Sequence, residues 1–350
     1  MQRSVMATAD GRSSTQQLRL LCLDGGGVRG LSSLMVLKML MEMIDPDNPP
    51  KPCDYFDMIG GTSTGGLIAI MLGRLQMSVQ ECIDEYTTLF SSIFTKKKHR
   101  VGWGGKLQGR FDHEALEAGI KRIVGEKLND ENALFKDNSS NGGCKTFVCA
   151  TSATTSETVI MSSYYSMRRL NDIRNVARIW EVGRATSAAT SFFDSIQIKG
   201  STYLDGGTGA NNPINKLWAE ADDAFRQGPD WRLEDNLLCM VSIGTGQPLL
   251  KKFGDSILGT DILDALVDIT TNTETTANDF QQAHAQIFEQ GIAYRFNVEQ
   301  GLENVALEDA TSAGKIEEVT RRYLSIEKSN APLRRCVSRL KASEGMSICI

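Results

Sequence analysis

Three times in this chain an apolar run of strand length ends in clustered glycines and passes straight into a segment of helical period. Leu18–Leu23 is followed by Asp24-Gly25-Gly26-Gly27-Val28-Arg29-Gly30, Tyr55–Ile59 by Gly60-Gly61-Thr62-Ser63-Thr64-Gly65-Gly66, and Ile196–Tyr203 by Leu204-Asp205-Gly206-Gly207. Strand, tight turn and helix in that order describe βα units, which pack as a mostly parallel sheet covered by helices on both faces. Further apolar runs at Lys145–Thr151, Thr158–Ser163 and Leu237–Ile243 add strands. Helical period appears over Leu31–Ile44, Thr64–Leu72, Ser78–Phe94, Ile173–Ser187, Pro213–Arg226 and Asp261–Glu289, with a last pair near Lys315–Lys328 and Pro332–Lys341. The expectation is a three-layer α/β/α fold with a mostly parallel central sheet. It occupies residues 18–300, after a disordered tail over 1–17 and before a helical extension over 301–350.

The 350 residues carry 38 Lys and Arg against 43 Asp and Glu, a formal net charge of −5, which lacks the basic excess of a general nucleic-acid binder. The longest apolar stretches, Leu31–Ile44 and Gly66–Gly73, fall short of the roughly 20 residues that span a bilayer. Residues 1–17 lack the apolar core of a signal peptide, so a cytoplasmic location is expected. Among the eight cysteines no C-x-x-C pair occurs, and they read as buried thiols, with neither a zinc site nor a disulfide framework. No metal and no cofactor is expected.

The chemistry resides in the glycine turns. Gly25, Gly27 and Gly30 fit G-x-G-x-x-G, but Asp24 stands where an incoming pyrophosphate would meet a negative charge. The loop is then a set of exposed backbone amides able to hold an anion, a transient oxyanion included. Gly61-Thr62-Ser63-Thr64-Gly65 is a G-x-S-x-G in the strand–turn–helix setting that exposes a nucleophilic serine at a strained turn. Such a serine needs a base, and only three histidines exist. His284 lies in a helical stretch, His113 opens a helix behind its N-cap Asp112, and His99 sits in a basic loop. A carboxylate remains, and Asp205, at the end of a strand and beside Gly206 and Gly207, is placed to meet another chain segment closely. In Asn211-Asn212-Pro213 the Asn212 and Pro213 pair reads as a helix cap and first position.

Taken in order, Asp24-Gly-Gly-Gly-Val-Arg-Gly30, Gly61-Thr-Ser-Thr-Gly65 and Asp205-Gly-Gly207 resemble the patatin-like phospholipases, most closely fungal patatin domains. Arg184-Ala-Thr-Ser-Ala-Ala189 and Asn211-Asn212-Pro213 extend the resemblance, which runs from about Leu18 to Gly246; Thr190 departs from the proline common in that family. The resemblance implies a calcium-independent lipid acyl hydrolase with Ser63 as nucleophile and Asp205 as general base. The oxyanion donors would come from Gly25, Gly26, Gly27 and Thr64, with Arg29, Gly30, Gly61, Gly65, Gly206 and Gly207 as supporting residues. Two other readings stand beside it: a histidine-triad esterase, and a non-catalytic nucleotide- or lipid-sensing module built on the glycine loop.

An acyl lipid is the expected partner. Lys96, Lys97, Lys98, Arg100 and Trp103 form a basic, aromatic loop suited to anionic headgroups, and a solvated loop explains it as well. Arg29 could meet a lipid phosphate or brace the scaffold. Oligomeric state leaves no mark in the sequence.

Overall fold

The run Leu18–Leu23 is apolar at both parities because both faces of its strand are covered. Leu21 and Leu23 enter one hydrophobic core, and Leu18, Leu20 and Cys22 enter a second on the opposite face. The computed structural model describes residues 17–94, 111–137, 143–189, 192–247 and 273–342. Within them lie β1 (Leu18–Leu23), β2 (Met58–Thr62), β3 (Lys145–Ser152), β4 (Thr158–Ser162), β5 (Ile196–Ile198), β6 (Ser201–Asp205), β7 (Leu237–Ile243) and β8 (Ala293–Phe296). These join one sheet in the order β5-β6-β3-β2-β1-β7-β8, with β4 also paired to β3. The pairs β1/β2, β1/β7, β2/β3 and β7/β8 are parallel, whereas β3/β4, β3/β6 and β5/β6 are antiparallel. Helices cover both faces, as the α/β reading requires.

The first core takes its helical side from Gly30–Ile44, Thr64–Ala69, Val79–Ile93, His113–Leu128, Ile179–Thr186, Ala313–Ser325 and Glu327–Lys341. Helices Ile214–Phe225 and Thr273–Ala283 line the second. Local chemistry sets several helix starts. Ser78 and Glu81 form a reciprocal capping box, and the Asp112 side chain accepts from the Glu114 amide. Leu333, Val337 and Leu340 turn their face of the final helix into the same core as β1.

Some boundaries depart from the sequence pattern. Pro52 at a helix N-terminus turns Pro52–Tyr55 into a helical turn, so the second strand starts at Met58 and runs on through Gly60, Gly61 and Thr62. The run Ile196–Tyr203 is a hairpin, reversed at Lys199 (φ 49°) and Gly200 (φ 81°), both left-handed as a two-residue turn demands. Helix Ile173–Ser187 is interrupted at Ala177, whose extended backbone separates Asp172–Val176 from Ile179–Thr186. The four-residue strand β8 has too few positions to show a period. Lys96, Lys97, Lys98, Arg100, Trp103, Thr190 and residues 261–272 of the expected long helix lie outside the described residues.

Candidate active site

Ser63 occupies the single residue between β2 and the helix Thr64–Ala69. Its backbone (φ 54°, ψ −124°) is left-handed in φ, a conformation that costs a non-glycine residue about 1–3 kcal/mol. The turn is tight enough that a Cβ on Gly65 would lie 2.4 Å from the carbonyl oxygens of both Leu23 and Asp24, and one on Gly61 would lie 2.1 Å from the Gly65 carbonyl oxygen. Only glycine allows the helix to begin against the end of β1. Thr186 holds the turn from the side, because its Oγ1 accepts from the Ser63 amide at 2.9 Å and donates to the Cys149 carbonyl at 2.7 Å.

Asp205 meets Ser63 because of strand direction. Thr62, the last residue of β2, pairs with Cys149 of β3, and Asp205, the last residue of β6, pairs with Ala150. Since β4 takes the opposite edge of β3 at both Cys149 and Thr151, β2 and β6 share one edge. One is parallel and the other antiparallel to β3, so they run toward each other and end one residue apart. The Ser63 hydroxyl then donates to Asp205 Oδ2 at 2.7 Å, while Asp205 Oδ1 accepts from the Gly207 amide at 2.6 Å. Asp205 is buried, and burial pushes its carboxyl from the ordinary 3.8 up to about 6, against the hydrogen bonds from Gly207 and Ser63 that favour the charged form. A carboxylate so raised is a better proton acceptor from a serine than an exposed aspartate.

The glycine loop packs beside this pair. The Gly25 amide donates to the Asn211 carbonyl at 3.0 Å and the Gly26 amide to Thr64 Oγ1 at 3.1 Å, so both are engaged here. The amides of Gly27 and Thr64 have no acceptor among the described residues. Gly27 itself has φ +56°, and a Cβ there would strike the Leu307 carbonyl oxygen at 2.1 Å. Buried Arg29 turns back on the loop, with Nε 3.5 Å from the Gly26 carbonyl, so the structure shows it bracing the scaffold. Because a trans peptide points its N–H opposite its C=O, a contact on the Gly26 carbonyl fixes the direction of the Gly27 amide. Tyr86 adds a hydrogen bond to the Gly27 carbonyl at 2.5 Å and lies where a Gly30 side chain would be.

Neither described histidine joins the serine. His113 Nδ1 lies 3.1 Å from Asp194 Oδ2, and His284 packs its ring 4.3 Å from Trp218 and 4.4 Å from Phe280. His99 lies outside the described residues. Sequence reasoning passed over several residues of this neighbourhood. Asn211 ties the loop after Asp205 to the glycine loop, with its carbonyl on the Gly25 amide and its Nδ2 3.4 Å from the Gly25 carbonyl. Asn212 stands one residue ahead of the N-cap, because the helix starts at Ile214 with Pro213 as its cap and not at Pro213 itself; Asn212 Oδ1 still accepts from the Ile214 amide at 3.1 Å. Thr245 Oγ1 donates to the Gly25 carbonyl at 3.1 Å, and Arg295 pairs with Asp24 at 2.5 Å. The last two come from strand ends remote in sequence, and no local pattern marks them.

Comparison with known proteins places the chain in a family. A family model described as patatin-like phospholipase matches residues 21–218, more than half of the 350-residue chain. The chain is 27% identical over 282 residues to calcium-independent phospholipase A2-gamma of Mus musculus, covering 77% of this chain and 33% of that protein. It is 25% identical over 338 residues to the Homo sapiens protein of the same name, covering 93% of this chain and 40% of that one. With Phospholipase A I of Arabidopsis thaliana it shares 27% identity over 287 residues, 66% of this chain and 21% of the relative. The chain thus spans about a third of the length of the first of these relatives. With the family model covering most of the sheet and both strand ends that meet at Ser63, the chain belongs to the patatin-like phospholipase family.

Proposed function

We propose that this chain hydrolyses carboxylic esters of acyl lipids, phospholipids among them, with Ser63 as nucleophile and Asp205 as general base. The observation that carries the reading is the 2.7 Å hydrogen bond from the Ser63 hydroxyl to a buried, raised carboxylate. Ser63 Oγ attacks the ester carbonyl as Asp205 takes its proton, and the tetrahedral oxyanion is met by the free amides of Gly27 and Thr64. The Gly26 amide joins them if Thr64 Oγ1 turns aside. Collapse of that intermediate breaks the bond to the alcohol, which leaves with the proton from Asp205. Water then adds to the acyl-enzyme, giving its proton to Asp205, and the fatty acid departs as Ser63 recovers the proton. A carboxylic acid is a modest proton donor, so an alcohol is expelled more readily than an amine, and esters are favoured over amides. The relatives named for phospholipase A activity support lipid esters, and the calcium-independent ones support turnover without that ion.

The test is labelling of the purified chain by a fluorophosphonate, then release of fatty acid from phospholipid vesicles in the presence of a calcium chelator. Wild type should label and hydrolyse, and Ser63→Ala should do neither. Hydrolysis that survives Ser63→Ala refutes the mechanism. Labelling without release from any lipid refutes the substrate class.

A further inference from the structure

Asp24 precedes the oxyanion loop by one residue, and a buried carboxylate there has no part in the chemistry just described. Its side chain is inaccessible to solvent, its amide is bound to the Ile243 carbonyl at 3.1 Å, and its Oδ2 lies 2.5 Å from Arg295 Nη2. Arg295 comes from β8, outside residues 21–218. Its guanidinium is held on several sides: Nη1 donates to Ser242 Oγ of β7 at 2.8 Å, and Nη2 also reaches Glu274 Oε1 at 2.6 Å. Glu274 is fixed in turn by Asn297 Nδ2 at 2.8 Å, while Asn297 Oδ1 accepts from the Gly246 amide at 2.6 Å. A Cβ on Gly244 would lie 2.8 Å from Arg295 Nη2, so that position must be bare for the arginine to pass.

We infer that Arg295 is a positioning residue for ester hydrolysis, locking Asp24 and through it the Gly25–Gly27 loop in the orientation that aims the Gly27 amide at the oxyanion; the inference rests on the function proposed above. Planar, forked and always charged, a guanidinium can hold Asp24, Ser242 and Glu274 at once, which a lysine ammonium cannot do in the same geometry. The three partners sit just past the end of β1, on β7 and on the helix Thr273–Ala283, so one side chain from β8 ties the start of the loop to β7 and to that helix. Thr245 Oγ1, three residues beyond Ser242, fixes the Gly25 carbonyl from the same side. Oxyanion donors bind the transition state and not the ground state, so misaiming them lowers kcat and leaves KM nearly unchanged.

The test compares wild type, Arg295→Gln, Arg295→Lys and the double variant Asp24→Asn/Arg295→Gln on one phospholipid, with circular dichroism and melting temperature measured on each. Arg295→Gln is expected to lower kcat about tenfold or more with KM within about twofold, and Arg295→Lys to recover part of the loss. The double variant leaves no unpaired buried charge of this pair, so it stands in where Arg295→Gln fails to fold, with the same fall in kcat expected. Folded variants with wild-type kcat, or a loss confined to KM or to melting temperature, overturn the inference and leave the Ser63/Asp205 reading intact. A wild-type chain that labels with no fluorophosphonate and releases no fatty acid overturns both.

Discussion

Lowering the pH should switch off Ser63 about two pH units above the point at which an ordinary aspartate would fail. In the proposed mechanism Asp205 must be ionised to take the serine proton, and burial raises its carboxyl from 3.8 to about 6. With that value about nine-tenths of the molecules are competent at about pH 7 and about one-tenth at about pH 5, a fall of roughly tenfold in acylation rate. An unshifted aspartate would lose less than about a tenth of its competence over the same interval. The assay is the second-order rate of Ser63 phosphonylation by a fluorophosphonate, read across this range with the fold followed by circular dichroism. Asp205→Asn should slow the reaction by about 10² to 10⁴ and remove the part of the limb near pH 6 that belongs to Asp205. The sign of the stability change guards the interpretation. A carboxyl raised in the folded state binds its proton more tightly there than in the unfolded chain. Its stabilising contribution is therefore complete below about pH 4 and is lost as pH rises through about 6. Burial raises Asp24 to about 6 as well, with Arg295 opposing, and its sign is the same. Loss of rate on acidification to about pH 5 thus runs opposite to the stability contribution of these two groups. A midpoint near 4, or an Asp205→Asn profile with the same limb at undiminished rate, would refute the assignment; a limb near 6 left on a slowed Asp205→Asn chain belongs to Asp24.

Two substitutions probe the scaffold around the pair. Gly65→Ala sets a methyl 2.4 Å from two main-chain oxygens of the β1 end, which cannot rotate away, so the chain should lose about 1–3 kcal/mol in denaturant unfolding together with fluorophosphonate labelling. Wild-type labelling in a folded Gly65→Ala chain would show that the turn has more room than its geometry allows. Thr186→Val keeps the shape but strips the partner from the Ser63 amide and the Cys149 carbonyl, and should reduce stability by about 1–3 kcal/mol and lower kcat. Unchanged melting and turnover would mean that Thr186 does not hold the serine turn.

Much of the fold and site is legible in the sequence because its signals are local. The apolar parity of Leu18–Leu23 announces a strand covered on both faces, and glycines flanking Ser63 announce a turn where no Cβ fits. The hairpin at Lys199-Gly200 was hidden inside a continuous apolar run, since Lys gives no warning of a left-handed backbone. Strand β8 was hidden by its brevity. The amides of Gly25, Gly26, Gly27 and Thr64 are equivalent as letters, yet packing against Asn211 and the Thr64 hydroxyl engages two, while the other two meet no acceptor among the described residues.

Neighbouring residues alone mark Ser63 and Asp205 as candidate reactive groups and assign the turns they occupy, since turn strain, missing side chains and helix starts depend on a few adjacent positions. That Ser63 and Asp205, 142 positions apart, touch is a consequence of the folded sheet. That contact depends on the relative direction of two strands along one edge of β3, a property of pairing that neither strand encodes alone. The same holds for Arg295 and Asp24, 271 positions apart, because a buried charge finds its partner through sheet order and not through spacing along the chain.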